Sequence, residues 1–467
     1  MNQRFNCKLK FKPKYSALSL AVITGLFTLS TAHAETLNFQ QCVNTALKQN
    51  FDLVASRAQI EQAQAGLQEA KGYRWPKIVL SMGASYTDNA LNVFGTKLSQ
   101  RNATFNDFGL SQYTGNGSVA PTALNYPGFI PNFNPGIEFK LPLYDGGLIS
   151  GGIHQAEAYI KAAQNGDIAA RQKVIFQVLQ AYQGVHTARA YLKVAQQGEA
   201  TAQSQVKMMQ NLVKGGVIVK SDLLSAQVRL QDVKIQVMQA ENAVTKALDQ
   251  LHLLLGMPLK QPLDVGAQVT VKSTLDSTDA LRQAAIDNNP SINALRKLVD
   301  VEKAKTDIAR AGYKPQVGVM LRQDWFGPTP SLNVTATTVG INATWTAFDG
   351  GVTNAIVTRA LAAQTETEAK LAQAEAGIAF QVEDARRNAV EAEQRLVARQ
   401  LGREQAEEAA SIVTKRYANG VATITEQLGA QAQLDKARAD VVAAEYDVAV
   451  QRANLKLALG QLEADQL

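Results

Sequence analysis

The chain has 467 residues, with 47 Lys and Arg against 41 Asp and Glu, a formal net charge of +6, two Cys and four His. Five of the basic residues, Arg4, Lys8, Lys10, Lys12 and Lys14, precede the first acid, Glu35, so the remainder is close to neutral and its charge gives no reason to expect a nucleic-acid partner. Cys42 stands alone beyond Cys7, which excludes an intrachain disulfide once the start of the chain is removed.

That start reads as a Sec-type secretory signal, residues 1–34. A basic segment is followed by an apolar run from Ala17 to Leu29 and an Ala32-His33-Ala34 cleavage site, and the run is too short to span a bilayer as a helix. Neither Cys follows the apolar run as a lipid attachment would require. Residues 37–72 keep helical spacing through Val43, Leu47, Val54, Ala58 and Leu67, and Pro76 ends that helix.

Four later segments change to a period of two. Ile78, Leu80, Met82, Ala84 and Tyr86 alternate with Val79, Ser81, Gly83, Ser85 and Thr87. Ile137 to Leu143, Val317 to Arg322 and Val339 to Ala347 alternate in the same way, each with one apolar and one polar face. Such segments suit outer-membrane β-barrel strands, and they equally suit a small soluble sheet with one wet face. Four strands cannot close a membrane barrel, for which about eight is the minimum. Spanning strands would therefore have to come from several copies, and three copies would give twelve. A loop over 88–133, rich in Asn, Gly, Pro, Phe and Tyr, separates the first two strands, whereas its counterpart over 324–332 is short. Its composition suits either an external barrel loop or a disordered insertion.

From Gly147 to about Lys214 no proline interrupts a run of good helix formers, which predicts a helix approaching ~100 Å at about 1.5 Å per residue. Gly215-Gly216 ends it, and Ser221-Asp222 is expected to cap the return helix. On that helix Leu223, Ala226, Leu230, Val233, Val237, Ala240, Val244, Ala247, Leu251 and Leu254 form a heptad seam. Residues 257–275 read as a linker.

The pattern then recurs. Asp145-Gly146-Gly147 and Asp349-Gly350-Gly351 open two segments in ungapped register at an offset of 204, ending at Leu255-Gly256 and Leu459-Gly460. At an offset of 239, the first helix maps onto 276–311 and the first strand onto the third. The expected fold is thus mainly α with a small β part: two tandem repeats of a long coiled-coil hairpin, at 35–256 and 276–467, with two strands each. Both Asp-Gly-Gly motifs lack the ligand count of a calcium loop and the Lys-Ser/Thr of a phosphate loop, and read as strand-to-helix turns capped by Asp. His154, His186 and His252 are too scattered for a metal site, and no Gly-x-Ser-x-Gly nucleophile appears, so neither cofactor nor enzyme is expected.

Tandem repeat, strand–Asp-Gly-Gly–helix junctions and hairpin tips (Lys214-Gly-Gly-Val-Ile-Val-Lys-Ser-Asp222 and Tyr417-Ala-Asn-Gly-Val-Ala-Thr-Ile-Thr-Glu426), with Val93-Phe94-Gly95-Thr96-Lys97-Leu98 in the first loop, together resemble the TolC-like family of outer-membrane efflux and secretion ducts. The resemblance covers essentially the whole exported chain. It implies a homotrimer with a twelve-stranded barrel in outer-membrane lipid and an α-barrel crossing the periplasm, as the exit duct of a tripartite efflux pump or a type I secretion system. The tips, here Gly215, Gly216, Val217, Gly420 and Val421, would meet a periplasmic adaptor (membrane fusion) protein and an inner-membrane pump or ABC exporter. It also implies a periplasmic gate, with Asp222 and Tyr417 at the positions whose hydrogen bonds close the entrance and Glu426 at one acidic ring position. Ala422 replaces the family's gate arginine and Gly429 a second acid. Glu426 and Asp222 lining one constriction would favour cations. The competing reading is a pore-less periplasmic coiled-coil scaffold, whose apolar strand faces would have to be buried.

Overall fold

A computed structural model describes residues 35–272 and 278–464; the expected signal at 1–34 lies outside the described residues. The chain runs β1 (Glu35–Leu37), α1 (Phe39–Gln49), α2 (Phe51–Gly72), β2 (Lys77–Thr87), α3 (Ala90–Ser99), α4 (Thr122–Asn125), β3 (Ile130–Tyr144), α5 (Leu148–Lys214) and α6 (Lys220–Leu255). The second half follows as β4 (Leu263–Val265), α7 (Thr278–Asn288), α8 (Pro290–Arg310), β5 (Gln316–Phe326), β6 (Val334–Thr344), α9 (Val352–Ala418) and α10 (Ile424–Ala458).

The predicted helix over 37–72 is two helices broken at Asn50, and 276–311 breaks likewise at Asn289. Each Asn caps the second helix of its pair: Asn50 Oδ1 accepts from Asp52 N at 2.9 Å, and Asn289 Oδ1 accepts from Ser291 N at 2.9 Å. The breaks let short helices stack end to end. Asn50 Nδ2 donates to Leu254 O at 3.0 Å, joining α2 to the end of α6. The repeat-related α8 abuts α10, whose closing Gly460 (φ 69) lies so close that a Cβ there would come within 3.0 Å of Asn289 Cα. Four columns result, in the order α2 with α6, α5, α8 with α10, and α9. α5 and α9, 67 residues each, extend ~100 Å.

The main core lies where α1 packs on α5. Val174, Val178, Leu179, Tyr182 and Val185 of α5 meet Phe39, Cys42 and Val43. Of the linker expected over 257–275, the described residues 257–272 form part of this core: β4 pairs in parallel with β1, Leu263, Val265 and Val271 are buried, and Tyr182 Oη donates to Ala267 O at 3.0 Å. Burial pushes the Cys42 thiol up to about 12, which leaves it protonated and unreactive.

The four long strands form one antiparallel sheet in the order β2-β3-β5-β6. Its register lines up the apolar faces: Ile78 opposes Phe139, Phe139 opposes Leu321, and Leu321 opposes Val339. The other face carries Glu138, Lys140, Arg322 and Asp324, with ion pairs Lys140–Glu138 (3.0 Å) and Arg322–Asp324 (2.8 Å). β3 begins earlier than its alternation suggests. Pro131, Asn132, Asn134 and Pro135 look like loop residues, but β5 leaves β3 between the Gly136–Asp324 pair and the isolated Phe133–Gly327 bridge, so Pro135 sits in a gap of that ladder. β6 stops at Thr344 rather than Ala347, because its partner β5 begins opposite it at Gln316. The long loop is folded rather than a disordered insertion. α3 buries Val93, Phe94 meets Phe108 edge-on at 4.5 Å, Lys97 pairs with Asp107, and Gln100 Nε2 donates to Pro131 O at 3.1 Å.

Candidate functional site

Two surfaces carry the functional argument: the outer face of the sheet and the paired hairpin tips about 100 Å away along the helices. On the sheet, Leu80, Met82, Val339 and Ile341 are each more than 70% exposed, and Ile78 and Tyr86 more than 60%. A soluble scaffold would have to bury this face, and here it is bare. Its helix-side border is aromatic, with Tyr73, Trp75, Tyr144, Tyr313, Trp345 and Phe348 all half-exposed or more. An apolar band of strands of 11 to 15 residues, edged by aromatics, fits a bilayer core with its interface belt. Among the described residues no helix is long and apolar enough to cross a membrane.

Each strand passes to its long helix through an Asp-Gly-Gly turn. Asp145 Oδ1 accepts from Gly147 N (2.9 Å) and Oδ2 from Ile149 N (2.6 Å). Asp349 does the same with Gly351 N (3.0 Å) and Thr353 N (2.8 Å). Gly146, Gly147, Gly350 and Gly351 all have positive φ, from 66° to 102°, a region that disfavours a Cβ. The carboxylates are thus occupied in ordering the helix start.

At the other end both hairpins turn in the same way. Gly216 N donates to Val213 O (3.0 Å) and Val217 N to Leu212 O (2.9 Å), while Gly420 N donates to Tyr417 O and Val421 N to Arg416 O, both 2.9 Å. These are paired Schellman endings with left-handed glycines, Gly215 being the last right-handed residue of the first. Val217 and Val421 are left exposed at the tips.

The two helix starts beyond the tips differ. Ser221-Asp222, expected to cap α6, lies within its first turn: the N-cap is Val219, whose side chain cannot accept a hydrogen bond. On α10 Thr423 is the N-cap and Glu426 closes a capping box, its Oε2 accepting from Thr423 N at 2.6 Å and from the Thr423 hydroxyl at 3.1 Å. These bonds, the backbone one first, hold the Glu426 carboxyl below its ordinary range, and Arg416 adds to the effect.

Asp222 and Tyr417 are brought together. Ile424 of α10 packs with Val206, Met209 and Ala226 of the first hairpin, and Tyr417 lies against that cluster. Burial, and then the Asp222 charge, push the Tyr417 pKa up. No hydrogen bond joins them: the Tyr417 hydroxyl is buried without a partner. Ala422, on the same tip as Tyr417, supplies no cation. Two features of this region gave no warning in the sequence. Gln427 is 2% exposed with Oε1 unpartnered, and Arg229 reaches across from α6 to Asp435 of α10 at 3.4 Å. The histidines stay apart; His252 bridges Leu248 O and Gln261 O at 2.9 and 2.8 Å.

Known proteins share this architecture. The chain resembles the alkaline protease secretion protein AprF of Pseudomonas aeruginosa at 26% identity over 303 residues, 63% of each protein. It resembles protein CyaE of Bordetella pertussis at 24% over 289 residues, 62% of this chain and 53% of that one. These alignments thus cover less than two thirds of either relative. Among solved structures, the CmeC outer membrane channel of Campylobacter jejuni superposes with a TM-score of 0.76 at 16% identity, covering 91% of this chain and 86% of that one. The profile of the outer membrane efflux proteins matches residues 124–257 and 281–461, taking in both long hairpins, both tips and three of the four sheet strands, and by that match the chain belongs to the outer membrane efflux protein family.

Proposed function

We propose that this chain is the outer-membrane exit duct of an export system, a passive conduit that works as a homotrimer. The observation that carries the reading is the in-register, bare apolar face of the sheet above a polar, charged face. Four such strands in a bilayer need partners for β2 and β6 at the sheet's edges, since unpaired backbone groups are not tolerated in lipid. Three copies give twelve strands and a closed ring, with Glu138, Lys140, Arg322 and Asp324 toward a wet lumen. The helical columns below then form a tube through the periplasm. AprF is named for protease secretion and the family for efflux, so the cargo class is either polypeptide or small molecule, delivered by an inner-membrane pump or ABC exporter through a periplasmic adaptor. The exposed Val217 and Val421 tips, with Gly215, Gly216 and Gly420, are the adaptor-contact candidates.

The gate belongs to the tips. Tyr417 has an unpartnered buried hydroxyl and the Asp222 charge acts on it, so a rotation that joins them would satisfy a costly orphan donor and draw the two hairpins together. With Ala422 in place of arginine, no ion pair reinforces that closure. Glu426 has a structural task as capping partner, and its charge adds to that of Asp222 at the mouth, favouring cations. Multivalent cations should then block conductance; unchanged block in a Glu426→Gln, Asp222→Asn protein would remove the charged-mouth reading. The duct itself is tested by extracting outer membranes in mild detergent. A heat-modifiable trimer is expected, and a water-soluble monomer would overturn it.

A further inference from the structure

The two borders of the apolar band differ in charge. On the loop side, residues 88–129 carry the cations Lys97 and Arg101 and the acids Asp88 and Asp107. Both cations are engaged: Lys97 pairs with Asp107, and Arg101 Nη2 donates to Thr335 O at 3.2 Å. On the helix side, the junctions 71–77, 144–149, 310–316 and 345–353 carry five cations, Lys71, Arg74, Lys77, Arg310 and Lys314, against two acids, Asp145 and Asp349. Both acids are taken up by backbone N–H groups of their own turns. The acids just below are also occupied: Glu69 accepts from Tyr73 Oη at 3.1 Å, and Asp307 pairs with Arg310 at 3.3 Å. A chain that is nearly neutral beyond its first 34 residues thus keeps an uncompensated positive rim at one edge of its apolar band.

The fold holds these cations at the aromatic belt. Lys71 and Arg74 lie where α2 gives way to β2, in a turn closed by Arg74 N on Lys71 O at 3.2 Å and Trp75 N on Gly72 O at 3.0 Å. Arg74 stands in the chain between Tyr73 and Trp75, which are 62% and 74% exposed. Lys314 follows α8, in a turn wedged between the two Asp-Gly-Gly junctions. A Cβ on Gly146 would stand 2.9 Å from Lys314 Cβ, and one on Gly312 would stand 3.0 Å from Thr353 Cγ2. Trp345 Nε1 donates to Tyr313 O at 3.1 Å and ties the same turn to the end of β6. Lys71, Arg74 and Lys314 are exposed, and none forms an ion pair among the described residues. Lys77 is set apart, because it starts β2 opposite Lys140 on the polar face. Long cationic side chains beside interfacial aromatics lay their stems on apolar surface and carry their charge to the headgroups.

We propose that Lys71, Arg74 and Lys314 form a binding rim for anionic phospholipid headgroups in the leaflet at the helix end of the sheet. This rests on the membrane reading of the sheet given above and adds to it a lipid class. Uncompensated cations at headgroup level favour a net-negative headgroup over a zwitterionic one, by about fivefold for each cation engaged. The balanced loop-side border offers no such preference.

The test is native mass spectrometry of the full-chain trimer, equilibrated in mild detergent with equimolar phosphatidylglycerol and phosphatidylethanolamine. Wild type is expected to retain phosphatidylglycerol preferentially, and less so in high salt. The triple variant Lys71→Gln, Arg74→Gln, Lys314→Gln should lose the preference while remaining a trimer. Arg74→Lys should keep it, and so should Lys246→Gln on α6, a whole helix away from the border. Equal retention of the two lipids by wild type, or an unchanged preference in the triple variant, overturns the rim and leaves the duct standing. Retention of lipopolysaccharide in place of phosphatidylglycerol, undiminished in the triple variant, would place the anion at the other border and overturn it as well. A wild-type chain that extracts as a water-soluble monomer overturns the membrane reading itself.

Discussion

The two long hairpins share a backbone but not a chemistry. At mid-height α5 buries Leu179 and Tyr182 completely beneath α1 and residues 257–272; the equivalent α9 positions are Glu383 and Arg386, a half-buried pair 3.7 Å apart. Toward the tip, the first hairpin closes on Val206, Met209, Ala226 and Val233, with no ion pair between α5 and α6 among the described residues. The second closes on alanines and is stitched from α9 to α10 by Arg452–Glu393 (2.6 Å), Arg395–Asp447 (3.0 Å), Arg399–Asp440 and Arg438–Glu407 (both 3.1 Å). One repeat is therefore held by apolar volume and the other by close helix approach with surface charge. Apolar burial dominates, because a large core side chain is worth several exposed ion pairs.

The largest expected break in this comparison is Leu179→Ala, which should destabilise the folded protein by about 2–5 kcal/mol through the cavity it leaves, seen as a lowered denaturation midpoint. A change under about 1 kcal/mol would show that the α1–α5 core is not the main anchor. Next is Thr423→Ala. It removes the capping box that only the second tip has and should cost about 1 kcal/mol. Hydrogen exchange should report it as lost protection at the start of α10 and none at the start of α6.

A smaller effect comes from pH. Burial first, and then Arg189, hold the His186 pKa below 6.5, while Asp264 opposes. Tyr182 packs on the same ring at 5.2 Å. The unfolded chain therefore binds a proton that the folded chain refuses, so stability falls as pH drops below about 6.5. His186→Gln should flatten that fall, whereas an unchanged pH profile would mean the histidine protonates freely in the fold. The smallest effect is Arg399→Met, roughly 0.2–1 kcal/mol and shrinking in high salt, because the arginine is half-exposed.

Periodicity made much of this architecture legible. The long helices, the four alternating strands and the offset of 204 needed only local patterns, and so did the Asp-Gly-Gly turns. What could not be read from one stretch depended on distant partners. Asn50 looked like a helix interior until Leu254 O stood against its side chain. The loop expected over 88–133 looked irregular because its order comes from Phe94 on Phe108 and Gln100 on Pro131. At the tips, Ser221-Asp222 has the composition of a cap, but the chain enters α6 two residues earlier, at Val219. The proximity of Asp222 and Tyr417 came from the family resemblance. Arg229 with Asp435 came from the structure alone, since residues 206 positions apart carry no mutual signal in a single sequence.

The most direct test is single-channel recording of the purified trimer in planar lipid bilayers, wild type beside Asp222→Asn, Tyr417→Phe. A tip-gated duct gives discrete channels whose conductance rises when the tip pair is removed. A folded trimer that forms no channel in either version would contradict it.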